Sequence, residues 1–70
     1  MIEHILEAHS TLKKGETVKI VTSVQDYVTY VNRTDLLKDD GDILEIYRAN
    51  GARVALNTEF VVMCCVVERL

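Results

Sequence analysis

The feature that most constrains this chain is its closing run, Phe60 to Val67, which reads FVVMCCVV and carries no charge. Eight residues are too few to cross a bilayer, where a helix needs about 20. Their β-branched content makes them a strand. Successive side chains on a strand point to opposite faces, so Val62, Cys64 and Val66 share one face and Val61, Met63, Cys65 and Val67 the other. Both faces are apolar, and a strand apolar on both faces has to be covered on both.

The chain has 70 residues, enough for one domain spanning residues 1–70 and no second. Such a domain buries only about 60% of its unfolded surface, and its core supplies roughly 3–5 kcal/mol. Disulfides, a metal or association usually make up the difference. Two cysteines allow at most one disulfide. A hydrophobic share of 49%, with no proline and three glycines, excludes disordered and low-complexity classes. Association is the remaining staple, so a homo-oligomer is expected. One face of the last strand then meets the domain's own core, and Val61, Met63, Cys65 and Val67 meet the helix or a second copy.

Residues 2–14 carry Ile2, Ile5, Leu6, His9 and Leu12 at helical spacing. Glu3 and Glu7 lie early and Lys13 and Lys14 late, as the helix dipole favours, and Gly15 is placed to cap the end. From Glu16 the period changes to two. TVKIVTSV sets Val18, Ile20 and Val24 on one face, and DYVTYV returns after a tight connection near Gln25 and Asp26. The register of this first hairpin stays open. Leu36 and Leu37 either extend the second strand round a bend or form a helical turn ahead of an acidic loop at Asp39–Asp42.

The next hairpin can be registered from sequence. A two-residue Asn-Gly turn sets Arg48 against Arg53. A three-residue loop, Ala49-Asn50-Gly51, sets Ile46 against Val54, Leu44 against Leu56, and Tyr47 beside Arg53. Only the latter separates apolar from polar, and it puts Gly51 at the left-handed bulge position. Asn57-Thr58-Glu59 then makes a short turn into the last strand. The expected fold is mainly β with one N-terminal helix: residues 16–70 as a five-stranded, strongly bent antiparallel sheet or small barrel.

Little in the sequence points to catalysis. Cys64 and Cys65 diverge on a strand, cannot chelate one metal, and sit among valines that disfavour a thiolate. His4 and His9 are about 140° apart on the helix and do not form a metal pair. Aligning Gly41 with the invariant glycine of a calcium loop puts Leu36 at the first ligand position and Tyr47 at the last, so DLLKDDGDILE fails as one. It reads instead as a solvated acidic turn whose Asp39, Asp40 and Asp42 can meet a basic partner. There is no glycine-rich phosphate loop. The expectation is a non-enzyme without cofactor or metal.

The net charge of −3 weighs against a general grip on phosphates. Tyr30, Arg33, Tyr47, Arg48 and Arg53 nonetheless form a candidate surface for single-stranded nucleic acid. The start MIEHILEAHS lacks a signal peptide's cationic and apolar regions, so a cytoplasmic location with reduced thiols and no membrane partner is expected.

One helix followed by five short strands, the last entered by a very short turn, resembles the Sm-like group and related SH3-type barrels. The stretch EIYRANGARVALNTEFVVMCCVVE is similar to the closing part of that fold. The resemblance implies a last strand that pairs with the next subunit. It lies in element order and apolar pattern. A glycine in the bend of the second strand and a basic or histidine-containing turn before the last strand are both missing, and the turn here is acidic. The leading expectation is a self-associating, non-catalytic interaction module that regulates or inhibits a larger protein. The alternative is an Sm-like binder of RNA or single-stranded DNA.

Overall fold

A computed structural model of the chain describes residues 2–24 and 27–68. One helix, α1 (Ile2–Ser10), precedes six strands: β1 (Glu16–Thr22), β2 (Val28–Asn32), β3 (Leu36–Asp40), β4 (Ile43–Tyr47), β5 (Arg53–Asn57) and β6 (Val61–Glu68). They form two antiparallel three-stranded sheets, sheet A in the order β2-β1-β6 and sheet B in the order β3-β4-β5. The expected five-stranded sheet is therefore corrected to six strands in two sheets that do not close into a barrel. The break falls at Arg33-Thr34-Asp35, where the Asp35 carboxylate takes the Asn32 N–H at 2.9 Å and turns the chain from one sheet into the other.

The helix is shorter than its apolar stripe predicts. Ser10 Oγ donates to the Glu7 carbonyl at 2.7 Å and Thr11 Oγ1 to the Ala8 carbonyl at 3.2 Å. Hydroxyls that occupy the last carbonyls compete with further helical turns. Gly15 is not the helix cap. The Glu16 N–H donates to the Lys13 carbonyl at 3.0 Å, and Gly15, with φ 89°, takes the third place of that tight turn, which requires positive φ.

The first hairpin, open in the sequence, pairs Val18 with Val31, Ile20 with Thr29 and Val21 with Val28. Gln25 and Asp26, where its connection was placed, lie outside the described residues. Val24 does not join the core face; β1 ends at Thr22, which is buried in its stead and donates from Oγ1 to the Tyr27 carbonyl at 3.2 Å. The second hairpin has the expected register: Leu44 opposes Leu56, Ile46 opposes Val54, and Tyr47 opposes Arg53. Its three-residue loop closes with the Arg48 N–H on the Ala52 carbonyl at 2.8 Å, and Gly51 stands at φ 93°. Asn57 Oδ1 caps a single 3-10 turn, Thr58–Phe60, by accepting the Glu59 N–H at 2.9 Å.

A single core lies between the two sheets. Val18, Ile20 and Val31 enter it from sheet A, and Leu44, Ile46 and Leu56 from sheet B. Ile5 of α1 is fully buried in it, with Ile2 and Leu6 packed at its margin. His9 anchors the end of the helix, with Nε2 3.1 Å from the Asn32 carbonyl. Among the described residues no helix is long and apolar enough to cross a membrane.

Candidate functional site: the β6 strand and the outer face of sheet A

β6 pairs only with β1, so its other edge is open. The pairing runs from Glu16–Glu68 to Val21–Met63, and then a bulge shifts the register so that Thr22 opposes Val61. The extra residue, Val62, is left at 60% exposure. The bulge also moves Val61 to the core side, where it is only 9% exposed. The expectation that Val61 shares a face with Met63, Cys65 and Val67 is corrected accordingly, because a strict period of two cannot survive an inserted residue. No sequence signal marks the bulge: Val61 and Val62 are chemically alike.

Beyond the bulge the alternation holds. Cys64 and Val66 lie opposite Ile20 and Val18 on the core side, and Cys64 packs at the margin of the core. Burial, and then the neighbouring Cys65, push the Cys64 thiol up, away from the reactive thiolate. Met63, Cys65 and Val67 lie opposite Val21, Lys19 and Thr17 on the outer face. Met63 is 45% exposed, while Cys65 and Val67 are half-buried.

With β2 added, the outer face of sheet A becomes a three-by-three array. Its rows are Val28–Val21–Met63, Tyr30–Lys19–Cys65 and Asn32–Thr17–Val67. Lys19 stands at the centre, and none of the nine residues is acidic. Thr17 is closed off by its own bonds, donating at 2.7 Å to the Val31 carbonyl and lying 3.1 Å from Asn32 Oδ1.

The candidate nucleic-acid residues are not gathered on one surface. Tyr30 is on the outer face of sheet A, whereas Tyr47 and Arg53 are neighbours on the outer face of sheet B. Tyr47 donates its hydroxyl to Glu45 at 2.9 Å. Arg33 is exposed in the turn between β2 and β3.

Arg48 has a structural role instead. It forms the one ion pair among the described residues, at 2.7 Å to Asp35 Oδ2, and also donates to the Tyr30 carbonyl. Asp35 is 2% exposed. Burial pushes its carboxyl up, but the Asn32 N–H and the Arg48 guanidinium, helped by the Ala49 N–H, outweigh that and hold it below the usual carboxylate value. This clamp ties the β2–β3 turn to the β4–β5 loop. Sequence reasoning missed Asp35, whose one signal is its position three residues after Asn32 in a turn-forming stretch.

Asp39, Asp40 and Asp42 are all exposed at the tip of the β3–β4 hairpin, with Asp39 and Asp40 in β3 rather than in a loop. The Asp42 carbonyl accepts from the Thr58 N–H at 2.8 Å, which holds this tip against the 3-10 turn. A second apolar feature, a shallow groove beside β5, is lined by Val24, Tyr27, Leu56 and Phe60. Among the described residues no three His, Cys, Asp or Glu side chains cluster as a metal site would require. No family model, no curated protein and no solved structure matches this chain.

Proposed function

We propose that this chain is a non-catalytic, self-associating β module that works by protein contact, as a regulator or inhibitor of a larger protein. The observation that carries the reading is β6: an eight-residue edge strand, uncharged from Val61 to Val67, with Val62, Met63 and Val66 between 42% and 60% exposed. Isolated proteins protect such edges with lysine, proline, short strands or bulges; β6 has a bulge only at its start, at Val62, and none of the other devices before Glu68. Copies joined edge to edge along β6 would pair its open backbone groups and set these side chains beside those of the neighbouring copy, where a charge at Met63 would meet its like. An N-terminal helix, two packed antiparallel sheets and a one-turn entry into a long last strand are compatible with the small-barrel resemblance to Sm-like and SH3-type proteins.

Nucleic-acid contact is the second reading, favoured only by the Tyr47–Arg53 neighbours on sheet B, with Arg33 exposed in the β2–β3 turn and Arg48 committed to Asp35. Native mass spectrometry tests the first reading. Wild type is expected as a defined assembly and Met63→Asp as folded single copies with a lower melting temperature, because association no longer stabilises the fold. A wild type that flies as one copy, or a variant that keeps the full mass, sinks it. A salt-dependent oligonucleotide shift lost on Arg53→Ala would move the weight to the second reading.

A further inference from the structure

Five of the nine positions on the outer face of sheet A are apolar and the one charged side chain, Lys19, stands at the centre, and that combination selects an occupant. Tyr30 and Cys65 flank Lys19 across the strands, Val21, Val28 and Met63 lie on one side and Thr17, Asn32 and Val67 on the other, and Lys19 makes no ion pair among the described residues. A second copy packed face to face would bring two Lys19 side chains into one apolar interface with no carboxylate there. Buried like charges without partners are strongly unfavourable.

Nor is there, among the described residues, a spare element to cover the face. The apolar stripe of α1, Ile2, Ile5 and Leu6, is already against the core, and its remaining positions include Glu3, His4 and Glu7. Within each copy three strands span two spacings of about 4.8 Å, so each copy contributes a face about 10 Å wide, the diameter of one helix.

We propose that the outer face of sheet A seats an amphipathic helix of a partner protein whose apolar stripe carries one Asp or Glu, set against Lys19. The inference rests on the reading that this chain works by protein contact, and it names the partner's chemistry. The carboxylate neutralises the single cation as the surrounding valines, Met63 and Cys65 lose water. Removing water from around a charge pair strengthens their attraction, so the acid sets which helix is chosen and the apolar contacts set how tightly it is held.

The test is selection from a displayed library of helical peptides of about 14 residues, roughly four turns, with an apolar stripe and one stripe position varied among Glu, Asp, Gln, Lys and Leu. Wild type is expected to enrich Glu or Asp over Gln by about fivefold, equivalent to about 1 kcal/mol. Lys19→Glu is expected to invert the choice to Lys, and Val28→Asp, on the strand farthest from β6, to abolish enrichment. Leu preferred by wild type, no enrichment, or the same peptides chosen by Lys19→Glu overturns the proposal. Circular dichroism of each variant confirms the fold. Native mass of the same samples separates the two readings. Single copies that select acidic peptides refute self-association alone, and assemblies that do not select them refute this inference alone.

Discussion

Sheets A and B are the same size, three antiparallel strands each, and they share one core, yet their outer faces are opposites. On sheet B the outward rows are Leu36–Tyr47–Arg53, Lys38–Glu45–Ala55 and Asp40–Ile43–Asn57. Charges of both signs alternate there, and Tyr47 is tied to Glu45. On sheet A the corresponding array has five apolar side chains and one lysine. A face of mixed charge is satisfied by water, while the apolar side chains of the other face are what the proposed contacts would cover. The difference is why the proposed contacts are set on sheet A and not on sheet B.

Breaking the seam between the sheets has the largest expected effect. Arg48→Ala leaves the Asp35 carboxylate buried without its cation, and urea unfolding should show a loss of about 3 kcal/mol, most of the margin of a domain this small. The pH dependence has a definite sign. The folded Asp35 pKa lies below its unfolded value of about 3.9, so the clamp contributes fully above that value and its contribution disappears as pH falls through the folded pKa. The stability difference between wild type and Asp35→Asn should therefore shrink towards zero in that acid window. A gap that persists there would show that the carboxylate's charge is not what holds the seam.

The next test sets one sheet directly against the other. A charge on the apolar face, Met63→Asp, should dissolve the assembly, whereas Ala55→Lys on sheet B, opposite Glu45, should leave copy number and melting temperature as they are. If both variants dissociate, or neither does, the contrast between the faces has no functional meaning.

Smaller effects probe the fold within each sheet. Gly51→Ala in the sheet B hairpin meets no atom within 4 Å but must hold φ 93°, and thermal unfolding should register a loss of about 1 kcal/mol from backbone strain alone. Thr29 of sheet A is buried with Oγ1 unpartnered. Thr29→Val keeps its shape and removes that cost, so its stability should equal or exceed wild type by up to about 1 kcal/mol. A marked loss would mean that the hydroxyl has a partner when the protein is in solution.

The second hairpin was legible in the sequence to the residue, and the first was not. In DILEIYRANGARVALN only one loop length sorts Ile46, Val54, Leu44 and Leu56 from Arg48 and Arg53, so the polar residues fix the register. In TVKIVTSV and DYVTYV almost any register pairs apolar with apolar, and the choice falls to the core beyond. The same uniformity hid the bulge. With Val61 and Val62 alike, the sequence offers nothing to mark which is extra, and an unbroken period of two puts Val61 on the wrong face. Arg48 looked like a surface cation because its partner, Asp35, lies 13 residues away and is brought to it only by the turn between the sheets.

The sequence by itself determined the mainly β class, the N-terminal helix, the second hairpin and the two-faced last strand, because each follows from periodicity and turn chemistry within a few residues. Tertiary structure alone decided the division into two sheets, the Asp35–Arg48 clamp and the assembly of the Lys19 face. Those depend on which strands become neighbours, and that is settled by burial of the whole chain at once rather than by any short stretch of it.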